Sequence, residues 1–145
     1  MTTEIMNGLA VGQSAEKTTT VTRGDVVIFA DLSDDHNPVH TKPEFAAGTK
    51  FKEPIVHGAL IGSFISALIG VKLPGPGSIV VSLNLKFREG VKIGEEVTTR
   101  VEIRRIDRRG FIMMNCSCSV KEKIAIKGTA TVYVVSSAAI REESG

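Results

Sequence analysis

From Ser78 onward, apolar and polar side chains take turns along the chain. SIVVSLNLKF, GEEVTTRVEIRRID, FIMMNCSCSVKE and IAIKGTATVYVV each alternate with the period of a strand that buries one face. Gly90, Gly94, Asp107–Gly110 and Glu122–Lys123 fall between these runs and supply turns, so the pattern predicts four antiparallel strands in series. Ahead of them, IVHGALIGSFISALIGV carries no charged residue from Pro54 to Val71 if His57 is neutral, and reads as one helix covered on most sides. KLPGPGS stops it with proline and glycine. Upstream, SAEKTTTVT reads as a short or edge strand, and Thr22 with Asp25 forms an approximate capping box for a helix through VVIFADL. One nearly uncharged helix beside at least five strands describes an α+β domain in which a curved antiparallel sheet wraps the helix.

Between the two helices lies SDDHNPVH, Ser33 to His40, which crowds two aspartates, two histidines, an asparagine and a proline into eight residues. Pro38 and Pro43 rule out a long helix across it, so a loop is expected, with a short helical turn at PEFAAG after it. Three chemistries remain open from the residues alone. Asx and proline clusters make turns. A metal would recruit Asp35, His36, His40 and His57, but Pro38 denies His36 and His40 the shared helix that their spacing suggests. Acid–base work would use Asp35 and His40, which a folded-back loop can aim at one water.

Composition narrows the surroundings. The 145 residues fit one domain spanning 1–145, with about ten N-terminal and eight C-terminal residues expected to fray. A net charge of +2, one tyrosine and no tryptophan give neither the electrostatics nor the stacking surface of a nucleic-acid binder. The N-terminus lacks the basic and apolar regions of a signal peptide, and His57, three glycines and two serines argue against a membrane span, so the cytoplasm is the expected compartment. Cys116 and Cys118 would point to the same strand face as buried free thiols.

The pattern F-x-x-L-S-D-D-x-N-P-x-H-x(5)-A, from Phe29 to Ala46, resembles the signature of the MaoC-like (R)-specific enoyl-CoA hydratases. EPIVHGALIGSFISALIG is similar to that family's central helix, and the order of elements from about Val11 to Val135 is similar to its hot-dog fold. The resemblance implies hydration of a trans-2-enoyl-CoA to an (R)-3-hydroxyacyl-CoA, with Asp35 and His40 as the catalytic pair. It implies Gly58 N–H as the oxyanion donor, Asn37 and Pro38 as loop-shaping residues, and Ser66 near the acyl pocket. Phe64, Leu68 and Ile69 are apolar tunnel candidates, with Ile69 taken as substrate-binding. No metal and no cofactor is implied, because the thioester itself activates C3; the implied partners are the acyl-CoA and a second copy of the chain in a homodimer.

One departure stands out: Asp34 occupies a position that is often glycine in the family, and an inward-facing Asp34 would raise the pKa of Asp35. A solvent-facing Asp34 would change nothing and is expected. His57 is read as a packed or hydrogen-bonded histidine, the basic run Arg104–Gly110 as a solvated turn that could otherwise meet CoA phosphates, and the Pro74–Ser78 loop as a helix terminator. A hot-dog thioesterase, a dehydratase acting on acyl carrier protein and a non-catalytic acyl-CoA-binding domain stay open, because fold does not fix function. Acyl chain length and pathway, polyester monomer supply among the candidates, are left open by the sequence.

Overall fold

A computed structural model describes residues 8–135, so the expected C-terminal fraying and most of the N-terminal fraying concern residues outside the described range. Within it, Leu9 already packs against the core, and Gly12 N–H donates to Ile103 O over 2.8 Å.

The chain begins with strand β1 (Ser14–Thr20) and helix α1 (Arg23–Ser33). Two short helical turns follow, α2 (Pro38–Thr41) and α3 (Pro43–Ala46), and then the central helix α4 (Gly58–Val71). Strands β2 (Ser78–Phe87), β3 (Glu96–Ile106), β4 (Phe111–Val120) and β5 (Lys123–Val134) complete the chain. All five strands form one antiparallel sheet in the order β1-β3-β4-β5-β2, and α4 packs against four of them, which is the hot-dog arrangement that the sequence implies.

The alternation read from the sequence is the alternation of burial. On β3, Val97, Thr99, Val101 and Ile103 turn inward and are all at most 1% exposed. Ile112, Met114, Cys116 and Cys118 do the same on β4, and Ile61, Ile65, Leu68 and Ile69 meet them from α4. Both thiols are free and buried, and burial pushes Cys116 up to about 12. The β4–β5 turn sits at Lys121 and Glu122, both at positive φ, one residue earlier than the sequence suggests.

Register on the outer strand depends on Gly128. A Cβ there would run into the carbonyl of Asn84 on the neighbouring β2, so only glycine lets β2 lie this close to β5.

α4 is less enclosed than expected. Its 14 residues span about 21 Å, short of a bilayer core, and no helix among the described residues is long and apolar enough to cross a membrane. The side away from the core stays exposed: Ala59, Ser63 and Ser66 lie next to Leu83 and Phe87 of the edge strand β2, and Ala67 and Val71 lie beside Lys17 and Thr19 of β1. The small and apolar character of that side explains the uncharged sequence without full burial.

The capping box holds in three dimensions: Thr22 Oγ1 accepts from Asp25 N–H at 3.1 Å, and Asp25 Oδ2 accepts from Thr22 N–H at 2.9 Å. Thr22→Ala is expected to cost about 1 kcal/mol of stability, read as a lower denaturation midpoint with an unchanged circular dichroism spectrum.

Candidate active site

The motif that looks like a loop is a helix end joined to a helical turn. Ser33 closes α1, donating from Oγ to Phe29 O at 2.6 Å and accepting from Asp35 N–H at 3.2 Å. Asp34 is the C-cap at φ 63°, in the left-handed region where glycine is favoured and aspartate is tolerated. That geometry accounts for glycine as an alternative at this position. The Asp34 side chain is 94% exposed, with Oδ1 3.4 Å from His36 Nε2, so the two odd members of the motif pair with each other on the surface.

Pro38 starts the next helical turn after α1 has already ended at Ser33. It cannot follow a helical residue, but at the first position of α2 its missing N–H goes unneeded. Asn37 caps this turn, its Oδ1 accepting from Val39 N–H at 3.1 Å. The loop expected over the whole motif is thereby corrected to a helical turn over Pro38–Thr41, and the shaping roles expected of Asn37 and Pro38 have this local geometry.

His40, on α2, faces back toward the chain that enters α4. Its Nδ1 lies 2.7 Å from Ile55 O; a carbonyl oxygen only accepts, so Nδ1 carries the hydrogen and Nε2 keeps its lone pair. Ile55 is fixed in turn by an N–H donated to Val39 O at 3.2 Å and by a bridge to Lys92. Burial holds the His40 pKa below its ordinary 6.5; the Ile55 hydrogen bond opposes this, the neighbouring His57 adds to it, and Asp35 opposes it.

Asp35, His40 and His57 each present a ligand-type atom within 4.8 Å of the others. Asp35 is exposed, and its Oδ1 accepts from Asn37 N–H at 3.2 Å. One water can reach both Asp35 and His40, since two hydrogen bonds of about 2.8 Å span that separation. The same three residues are a candidate metal set, but His57 has Nε2 occupied by Asp35 O at 3.0 Å, and its other nitrogen is buried.

Gly58 begins α4, where N–H groups of the first turn lack helical partners. With His40 it lines a cleft of about 580 Å³ that also involves Ile61, Phe87, Arg88 and Ile126. A Cβ on Gly58 would stand 2.8 Å from the Phe87 ring, so glycine here makes room for Phe87 as well as baring its backbone. Phe87 also borders the exposed groove that contains Ser66, Gly62 and Leu85, which places Ser66 next to the cleft but about 12 Å along the helix from Gly58.

Other expected residues fall elsewhere. Ile69 is 0% exposed in the core and lines neither the cleft nor the groove. Phe64 and Leu68 border a separate small cavity with Val71 and Thr99. The run Arg104–Gly110 is a turn built around Asp107, whose Oδ1 accepts from Arg109 N–H at 2.8 Å and Phe111 N–H at 3.0 Å. Phe111 pairs with Tyr133, whereas the cleft lies at Ile126, seven residues back along β5, or about 23 Å. This turn is therefore remote from the cleft of its own chain.

A MaoC-like domain matches residues 7–124. The chain belongs to the MaoC-like family. The MaoC-like chain is 43% identical to an (R)-specific enoyl-CoA hydratase of Rhodospirillum rubrum over 124 residues, covering 85% of this chain and 86% of that protein. It is 40% identical to a 3-hydroxybutyryl-CoA dehydratase of Methylorubrum extorquens, over 79% of this chain and 73% of that one. The solved structure of the (R)-hydratase from A. caviae involved in PHA biosynthesis superposes with a TM-score of 0.85 at 38% identity, covering 88% of this chain and 98% of that chain.

Two outcomes are expected. Asp34→Gly relieves the left-handed C-cap and stabilises by about 1 kcal/mol without moving the pH–rate profile. His40 binds its proton more weakly folded than unfolded, so the stability it contributes is present above pH 6.5 and is lost as pH falls from there through the folded value. Denaturant unfolding at pH 7.5 and 5.5 should therefore show the wild type losing more stability on acidification than His40→Gln.

Proposed function

We propose that this MaoC-like chain hydrates trans-2-enoyl-CoA to (R)-3-hydroxyacyl-CoA, and runs the reverse dehydration. One observation carries the reading: Asp35 presents an oxygen within 4.8 Å of a ring nitrogen of His40, and His40 lines a cleft together with Gly58, the first residue of the central helix.

In this reading the water sits between the Asp35 carboxylate and the bare Nε2 of His40. Loss of its proton to this pair drives its oxygen onto C3; the C2–C3 π electrons move toward C1, and charge gathers on the thioester oxygen. Gly58 N–H, unpaired and at the positive end of the α4 dipole, stabilises that oxygen. Return of a proton from the same pair to C2 completes the addition. The two proton movements are assigned to the pair and not to one residue each.

His40 suits the water-activating state because burial shifts its pKa downward, which favours the neutral ring. The groove from Gly62 to Ser66 continues from the cleft past Phe87 and offers an acyl chain an apolar bed. That bed is open on one side, where Ile79, Val81 and Leu83 of the edge strand are exposed at 52%, 56% and 39%. A second copy of the chain covering this side would close it, which supports a homodimer.

The test is an assay on short and medium trans-2-enoyl-CoAs. The conjugated-thioester absorbance should fall with no release of free thiol, and an (S)-specific 3-hydroxyacyl-CoA dehydrogenase should not consume the product. Thiol release would point to a thioesterase instead, and turnover confined to carrier-linked substrate to an acyl-carrier-protein dehydratase. Asp35→Asn and His40→Ala should each lower kcat by about 10²–10⁴-fold with folding intact. Wild-type rates in either variant would remove that residue from the mechanism.

A further inference from the structure

His57 has surroundings that packing alone does not require. The ring is 1% exposed and lies against His40, with centroids 4.1 Å apart, and against Phe29 at 4.9 Å. Its Nε2 is 3.0 Å from the main-chain oxygen of Asp35. Because that oxygen only accepts, Nε2 carries the hydrogen. The other nitrogen, Nδ1, is buried without a hydrogen-bond partner. A phenylalanine would fill similar space and bring no unpaired nitrogen into the interior, which costs free energy to bury. What the imidazole adds is the Nε2–H directed at Asp35.

That hydrogen bond joins parts that local structure leaves separate. The other contacts of Asp35 run to Ser33 and Asn37, within its own turn. His57 is the N-cap residue of α4, directly before Gly58. One side chain thus touches the Asp35 backbone and the His40 ring from the residue adjoining the Gly58 N–H.

We infer that His57 is a positioning residue, which holds Asp35 and His40 at a fixed distance from the Gly58 N–H through its Nε2–H and its ring contact. It touches no substrate. The inference rests on the reading of Asp35 and His40 as the catalytic pair.

The test uses His57→Gln, whose amide nitrogen can take the place of Nε2, against His57→Asn and His57→Phe, which cannot reach Asp35 O. Global stability of each is measured by denaturation, local order by amide hydrogen exchange at Asn37, Val39 and His40, and turnover by steady-state kinetics. His57→Asn and His57→Phe should exchange faster at these amides and lose about 10²-fold in kcat with little change in KM, whereas His57→Gln should recover protection and most of kcat. The inference is overturned if either non-donating variant keeps wild-type exchange, or if His57→Gln, stably folded, is as impaired as they are. Exchange needs no substrate, so it decides the positioning role on its own. A wild-type protein that hydrates no enoyl-CoA would sink the proposed activity separately.

Discussion

The site depends on where one helix is allowed to begin. α4 must press its Ile61, Ile65, Leu68 and Ile69 side into the sheet, and this fixes its axis; its first N–H groups then have to emerge beside Phe87 and Ile126. A Cβ at that point would stand 2.8 Å from the Phe87 ring, so any residue but glycine requires Phe87 to shift. Everything polar nearby is arranged around this fixed end: Ile55 and Val56, which lead into it, are bonded to Val39 and Val91, and the turn that carries His40 leans on Ile55 O. The strong geometric requirement is therefore apolar, and the His40 ring is held by the main-chain oxygen of Ile55 that it positions.

This division explains how much could be read from the sequence. Period-two alternation marks β3 and β4 because each buries one face, the same alternation on β2 falls on an edge strand whose apolar side is exposed, and the Thr22–Asp25 box marks α1 because two local hydrogen bonds suffice to start a helix. Asp35 and His40 were legible through the spacing of the signature. The helical turn over Pro38–Thr41 was not, since a proline reads first as a breaker and only the backbone reveals that it sits at a helix start. The burial of Ile69 against the sheet was not legible for a related reason: a helix without charges does not announce which side meets the sheet and which meets a groove.

His57 shows a different limit. A histidine at a helix entrance looks the same in sequence whether it packs, ligates or positions, and what separates these is which nitrogen meets which oxygen. A carbonyl as partner settles the tautomer of both His57 and His40, so the protonation pattern of the site follows from main-chain geometry. Asp34 is the opposite case: its charge drew attention, yet its conformation carries the meaning, because the chain needs a left-handed residue there to bring Asp35 around the end of α1.

The paired thiols of β4 have a use outside the reaction. Cys116 and Cys118 are buried on the side of the sheet that faces the helix, and burial raises both thiols, Cys116 to about 12, which disfavours the nucleophilic thiolate at neutral pH. Alkylating reagents can therefore reach these sulfurs only when α4 lifts from the sheet. The rate of their labelling becomes a clock for opening of the core, internal to the native sequence and silent toward motions confined to the surface turns that bear Asp35 and His40.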